Sequence, residues 1–208
     1  MAHIITPNPE LEGLEVHGMT RGAFILRGAL AAGSVYGLGA VTPFVSSALA
    51  QEDTSDVDIL NFALTLEYLE SAFYKKAMDL KLSGLAKDYA KSFGNAEDEH
   101  VRALLATIKQ LGGKPAAKPM FTFPMDDQKS FLKLAQTLED TGVGAYNGAG
   151  PSIKNKDVLA AAGSIVQVEA RHAAAIRILN GMEPAPEAFD KPLDVATVTK
   201  AITPLIKQ

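Results

Sequence analysis

The sequence predicts an all-α protein, an antiparallel four-helix bundle with one long crossover, an apolar segment before it and a short helix after it. Apolar residues recur every three or four positions in four stretches between residues 56 and 181. The connection over residues 114–125 holds three prolines, which bar regular helix, and it is long enough to cross one end of a bundle. The composition leans toward alanine, leucine, lysine and glutamate, which favour helices.

Capping residues, glycines and prolines mark the ends of each predicted helix. The first helix begins at Asp56 and ends near Ser83-Gly84, and the second is closed by Gly112-Gly113. The crossover makes the second and third helices parallel neighbours. The third helix begins at Asp126 or Asp127 and is broken at residues 148–151. The fourth begins after Asn155 and is closed by Gly181. A short last helix runs from about Asp194 to Ile206 and is interrupted by Pro204.

The N-terminal part of the chain has the pattern of an export signal. Residues 1–22 are polar, and an uncharged run from Gly28 to Ala50 ends in Ala48-Leu49-Ala50, a cleavage-site pattern. Residues 20–26 resemble a twin-arginine signal, with Gly22 in place of the second arginine. The run is also long enough to span a bilayer. Residues 23–50 are therefore predicted to be an export signal, an uncleaved membrane anchor, or a segment that packs against another subunit.

These patterns divide the chain into four predicted regions and predict an exported protein, in the periplasm, at the cell surface or outside the cell. The regions are a polar segment over residues 1–22, the apolar segment over 23–50, the bundle over 51–182 and a tail over 183–208. A homo-oligomer is compatible with this organisation.

Composition excludes several classes of function. Acidic residues outnumber basic ones by 24 to 20, giving a net charge of −4, which argues against nucleic-acid binding. Cysteine is absent, so disulfides, thiolate metal sites and cysteine nucleophiles are excluded. Any bound metal must use carboxylates, imidazoles or carbonyl oxygens.

Each apolar stripe contains a glutamate where the pattern asks for an apolar residue. Two of these glutamates begin a Glu-x-x-His motif, which places both side chains on one helical face. Glu67 and Glu97 are 30 residues apart, as are Glu139 and Glu169. Tyr74 and Tyr146 each follow the first glutamate of a pair by seven residues. The chain therefore contains two copies of one helical hairpin, and a pseudo-two-fold axis would bring the copies around one centre.

Buried charge makes a metal the expected occupant of that centre. An ionised carboxylate in an apolar interior costs several kcal/mol, and four together repel one another. Two divalent cations carry a charge of +4, which matches four carboxylates, and the mixed carboxylate and imidazole set suits iron, manganese or zinc.

This pattern resembles the ferritin-like di-iron carboxylate proteins, and among them the exported bacterial ferritin-like domain group. The resemblance covers about residues 56–181 and implies two iron ions, with manganese or a mixed iron–manganese pair as alternatives. It assigns Glu67 and Glu139 as terminal or chelating ligands, Glu97 and Glu169 as bridging ligands, and His100 and His172 as terminal nitrogen ligands. Tyr74 and Tyr146 are the candidate catalytic tyrosines, which resemble tyrosines that hydrogen-bond such ligands.

Such a centre implies redox chemistry with dioxygen or peroxide and with ferrous ion. The expected outcomes are ferrous oxidation, peroxide or oxygen detoxification, or a manganese-catalase-like reaction. One alternative is a non-enzymatic exported or surface-anchored bundle in which metal is structural, stored or absent. Another is an oxygenase whose organic substrate lies against Ala135, Gly142 and Ala162.

Four further charged residues lie near the predicted centre and are interpreted as a solvated flank: Glu70, Asp98, Glu99 and Asp140. Glu70 follows Glu67 by three residues, so an additional ligand is the alternative there. Gly142 is unusual inside a helix. Its small size predicts room for a small ligand or for a close helix approach.

Overall fold

A computed structural model of the chain describes residues 54–207, and it confirms the all-α bundle. The predictions for residues 1–22 and 23–50 lie outside the described residues. The helices are α1 Asp56–Ala77, α2 Gly84–Gln110, α3 Gln128–Ala149, α4 Lys156–Leu179 and α5 Val195–Ile202, with 3-10 turns at Gly150–Ser152 and Thr203–Leu205. Of the helices described, none is both long and apolar enough to cross a membrane.

Side-chain caps fix where the helices start. Ser55 accepts a hydrogen bond from the Asp58 N–H, and the Asp58 carboxylate accepts one from the Ser55 N–H in return. Asp127 caps α3 and Asn155 caps α4, as the sequence predicts. α1 ends at Ala77, before the predicted Ser83-Gly84, because the chain tightens there: the N–H groups of the next three residues bond to carbonyls three residues back.

The four long helices pack as two hairpins, α1 with α2 and α3 with α4, which meet through α1–α3 and α2–α4 contacts. The prediction that α2 and α3 are neighbours is wrong: they run parallel but lie diagonally opposite. Asn61 of α1 fixes the path of the crossover. Its side chain accepts from the Ala116 N–H at 2.6 Å and donates to the Lys114 carbonyl at 3.1 Å. The prediction that residues 114–125 cross one end of the bundle is also wrong. They start beside Asn61 near the beginning of α1, and the chain reaches Ser83, beyond the end of α1, at Gln128, so the crossover runs along α1, which lies between the helices that it joins.

A charged layer lies inside the bundle, with buried apolar side chains before and after it along the helices. Along α1, Leu60 and Leu64 belong to one apolar cluster and Phe73 to another, with Glu67 between them. All four side chains are buried. Any charge or ion in this layer is therefore shielded from water at both ends by packed apolar side chains.

The C-terminal tail is fastened to α3 at two glycines. The Leu193 N–H donates to the Gly144 carbonyl at 2.8 Å. A Cβ at Gly148 would lie 1.9 Å from the Leu193 carbonyl oxygen, so only glycine allows this approach. Beyond α5, the Thr122 N–H donates to the Leu205 carbonyl and the Lys207 N–H to the Met120 carbonyl, which ties the tail to the crossover.

Gly148→Ala is expected to destabilise the protein by about 1–3 kcal/mol, because backbone atoms must move to relieve the overlap. Thermal unfolding followed by circular dichroism measures the loss. Gly163→Ala is the matched control: a Cβ there would meet no atom outside its own helix within 4 Å. Alanine there should be neutral, or stabilising by up to about 1 kcal/mol. Equal melting temperatures for the two variants would contradict the tight contact.

Candidate metal centre

All six side chains predicted as metal ligands converge in the charged layer. The four helices contribute Glu67 from α1, Glu97 and His100 from α2, Glu139 from α3, and Glu169 and His172 from α4. The four glutamates are 0% exposed, and both histidines are buried. The helical pattern therefore directs these polar groups inward, where they can only satisfy one another or a bound ion.

His100 is the centre of the first group of ligand atoms. Its Nδ1 lies 2.8 Å from Glu97 Oε2, 3.1 Å from Glu169 Oε1 and 3.2 Å from Glu67 Oε2. Each of these four residues offers one ligand atom, and all four atoms lie within 4.8 Å of one another. A divalent cation placed among them would therefore have ligands at ordinary coordination distances.

His172 forms the second group with Glu97 and Glu139. Its Nδ1 lies 3.0 Å from Glu97 Oε1 and 3.6 Å from Glu139 Oε2. The ring of Phe93 stacks on the imidazole at a centroid distance of 3.8 Å, which restricts its rotation. Glu97 thus directs one oxygen to each histidine. A carboxylate in this orientation is suited to bridging two cations.

Each tyrosine holds a carboxylate of the opposite hairpin. The Tyr146 hydroxyl donates to Glu67 Oε1 at 2.5 Å, and the Tyr74 hydroxyl donates to Glu139 Oε1. Burial and the neighbouring carboxylates raise both tyrosine pKa values well above 10, so each hydroxyl keeps its proton. The tyrosines fix one oxygen of each glutamate and leave the other directed at a histidine.

Glu70 does not belong to a solvated flank, so that interpretation is wrong for this residue. It is 2% exposed and lies with Glu139 and Glu169 in a third group of potential ligand atoms. Asp98, Glu99 and Asp140 do retain solvent exposure. Asp98 accepts a hydrogen bond from Ser71, Glu99 pairs with Arg102, and Asp140 pairs with Arg177. The position of Glu70 three residues after Glu67 was the available signal.

Burial acts against the charges in this layer. It raises the pKa of Glu67 to about 7 and the pKa values of Glu70 and Glu169 well above their usual range. Burial also opposes ionisation of Glu97, but contacts with both histidines outweigh it and lower the Glu97 pKa to about 2. His172 is the converse case: burial disfavours its charged form, but Glu139 and Glu97 raise its pKa to about 9.

Several buried polar atoms in the layer are poorly satisfied. Glu97 Oε1 faces only His172 Nδ1 and Glu169 Oε1 faces only His100 Nδ1, while Glu139 Oε2 and Glu169 Oε2 have no hydrogen-bond partner. Such atoms are costly unless something binds them. Carboxylate oxygens and imidazole nitrogens in one cluster are the donors that iron and manganese bind in proteins. The residues therefore fit a metal centre, and the cluster is able to hold a metal ion.

The family comparison agrees with this geometry. Residues 55–182 match the model of the ferritin-like domain family. The chain belongs to that family. The match confirms the resemblance to ferritin-like proteins, while membership of the exported group stays a prediction.

A solved structure similar to this ferritin-like chain is the crystal structure of a conserved hypothetical protein, rv2844, from Mycobacterium tuberculosis. The two share 18% sequence identity with a TM-score of 0.57, over 70% of this chain and 99% of that one. At this identity the likeness concerns the fold. No curated protein sequence matches the chain.

Proposed function

We propose that this ferritin-like protein binds two iron ions among its six glutamate and histidine ligands and uses them in ferrous oxidation and peroxide reduction. The orientation of Glu97, with one oxygen toward His100 and the other toward His172, carries the proposal. When bound, two ferrous ions supply one electron each to hydrogen peroxide, which takes up two protons and becomes two water molecules.

The chain's own groups prepare the site for this chemistry. Tyr146 and Tyr74 act as positioning residues, because each hydroxyl fixes Glu67 or Glu139 with one oxygen turned toward a histidine. Phe93 holds the ring of His172. The apolar clusters on both sides of the charged layer exclude water, which strengthens the electrostatic interactions within the layer.

Export and contact through residues 23–50, with a membrane or with another subunit, belong to the same proposal. Their support is the sequence pattern of the leader, a long uncharged run that ends in Ala48-Leu49-Ala50.

Single-turnover kinetics tests the proposed activity. Metal-free protein is loaded anaerobically with two ferrous ions per chain and mixed with hydrogen peroxide, while ferric absorbance and remaining peroxide are followed. We expect two ferrous ions to be oxidised for each peroxide consumed, faster than free ferrous ion in the same buffer. Loading with two ions but oxidation at the rate of free iron would contradict an enzymatic role and favour a structural or storage role for the metal.

A further inference from the structure

Glu70 is a fifth buried carboxylate that the six-ligand pattern does not use. It lies on α1 one turn after Glu67, and one of its oxygens is within 4.8 Å of ligand atoms from both Glu139 and Glu169. No histidine belongs to this group. The three carboxylates therefore form an oxygen-only pocket beside the two groups that contain His100 and His172.

The two hairpins differ at this point. Glu67 and Glu139, the two tyrosines and the two Glu-x-x-His motifs occupy equivalent places, but the counterpart of Glu70 is Gly142, three residues after Glu139. A Cβ at Gly142 would lie 3.2 Å from Glu70 Oε1 and 3.4 Å from Glu169 Oε2. The missing side chain on α3 thus leaves the space that the Glu70 carboxylate fills.

One buried oxygen without a hydrogen-bond partner, Glu169 Oε2, lies beside the Glu70 carboxylate. Glu169 is 0% exposed, so this oxygen cannot be satisfied by bulk water. Glu169 Oε1 lies beside His100, whereas Oε2 is on the Gly142 side. Two divalent cations would compensate four ionised carboxylates, whereas burial raises the pKa of Glu70 and makes the fifth hold a proton unless a further cation replaces it.

We infer that Glu70, Glu139 and Glu169 form a position for a third divalent cation. The inference rests on the proposed function, because Glu139 and Glu169 are shared with the two histidine-containing positions. Ligation by oxygen alone favours a hard cation such as Mn²⁺ over Zn²⁺. The shared ligands and the repulsion from two nearby cations make binding at this position weaker than at the other two.

Manganese titration of the full chain tests the third position. Equilibrium dialysis against Mn²⁺ is expected to show two tightly bound ions and a third bound at least about tenfold more weakly, as ligand sharing implies. Crystals grown at the higher Mn²⁺ concentration should show an anomalous peak at about 2.0–2.6 Å from a Glu70 oxygen. Glu70→Gln should bind two ions and lack that peak. Glu99→Gln, which removes the same charge from an exposed side chain, should bind three.

Gly142→Ala separates coordination from electrostatics because it leaves every charge in place. Its Cβ displaces the Glu70 carboxylate, so the third Mn²⁺ should bind at least about tenfold more weakly while the first two are retained. Two ions in the unmodified protein and in both variants would overturn the third position and leave the proposed function standing. No bound Mn²⁺ in the unmodified protein would overturn the third position, and failure to bind ferrous ion without oxygen would overturn the proposed function as well. Loss of all binding in Glu70→Gln would also contradict a separate third position.

Discussion

Glu97→Ala is expected to reduce metal binding from the two cations per chain that we propose to fewer than one. Glu97 Oε2 lies 2.8 Å from the ligand nitrogen of His100, and Oε1 lies 3.0 Å from that of His172. One truncation therefore removes a ligand from both positions, whereas loss of Glu67 or Glu139 affects one position directly. We expect the affinity to fall by at least about 100-fold, because loss even of a group that only orients a ligand costs about 10–100-fold.

Elemental analysis of protein purified without oxygen measures this effect, and circular dichroism shows whether the variant is folded. Glu99→Gln is the matched control on the same helix, since Glu99 is exposed and pairs with Arg102 on the surface. It should retain two cations. Fewer than one metal per chain in the unmodified protein, unchanged by Glu97→Ala, would contradict the metal centre.

The metal-free protein is expected to lose stability as the pH rises from about 5 to 9. Folding raises the pKa of Glu67 from 4.5 to about 7. Its contribution to the free energy of unfolding is therefore complete below pH 4.5 and is lost as the pH rises through 7. The raised pKa of His172 acts in the same direction: its stabilising contribution is complete below pH 6.5 and is lost as the pH rises through 9. Each shift corresponds to about 3 kcal/mol.

Glu97 has the opposite dependence, because its folded pKa is lowered to about 2. Its contribution is present above 4.5 and is lost as the pH falls toward 2, so the stability maximum should lie near pH 5. For a protein of this size, each kcal/mol of stability corresponds to about 2–4 °C in melting temperature. The melting temperature of the metal-free protein should therefore fall by more than about 10 °C between pH 5 and 9.

Added metal should reverse this trend because cations replace the protons that the layer otherwise holds. At about 1,000 times the dissociation constant, a bound cation contributes about 4 kcal/mol. Calorimetry with and without Mn²⁺ should therefore show a larger gain in melting temperature at pH 8.5 than at pH 5.5, and Glu97→Ala should lose most of that gain. A metal-free stability that rises between pH 6 and 9 would contradict the pKa shifts.

Local sequence pattern was sufficient to predict the fold and the six convergent side chains. A glutamate within an apolar stripe is directed into the core by helical periodicity alone, and the equal spacings of the two hairpins relate Glu67 to Glu139 and Glu97 to Glu169. The same spacing located Tyr74 and Tyr146, since each follows its glutamate by two turns of the helix.

The features that sequence missed depend on residues far apart in the chain. Glu70 is buried because Gly142, on a different hairpin, has no side chain. On α1 alone, its position is also compatible with a solvated flank. The diagonal arrangement of α2 and α3 depends on the path of the crossover, which the hydrogen bonds of Asn61 to the chain at residues 114 and 116 hold against α1. Neither contact has a periodic signature in the sequence.

The pairing of Glu70 with Gly142 makes the two halves of the bundle complementary rather than interchangeable. Two identical α1–α2 hairpins would each bring a glutamate to the place of Gly142, where even a Cβ lies 3.2 Å from the other carboxylate. A protein divided within residues 114–125 should therefore reassemble as a heterodimer of its two fragments. Self-association of the first fragment would be disfavoured because two Glu70 carboxyl groups would compete for one space.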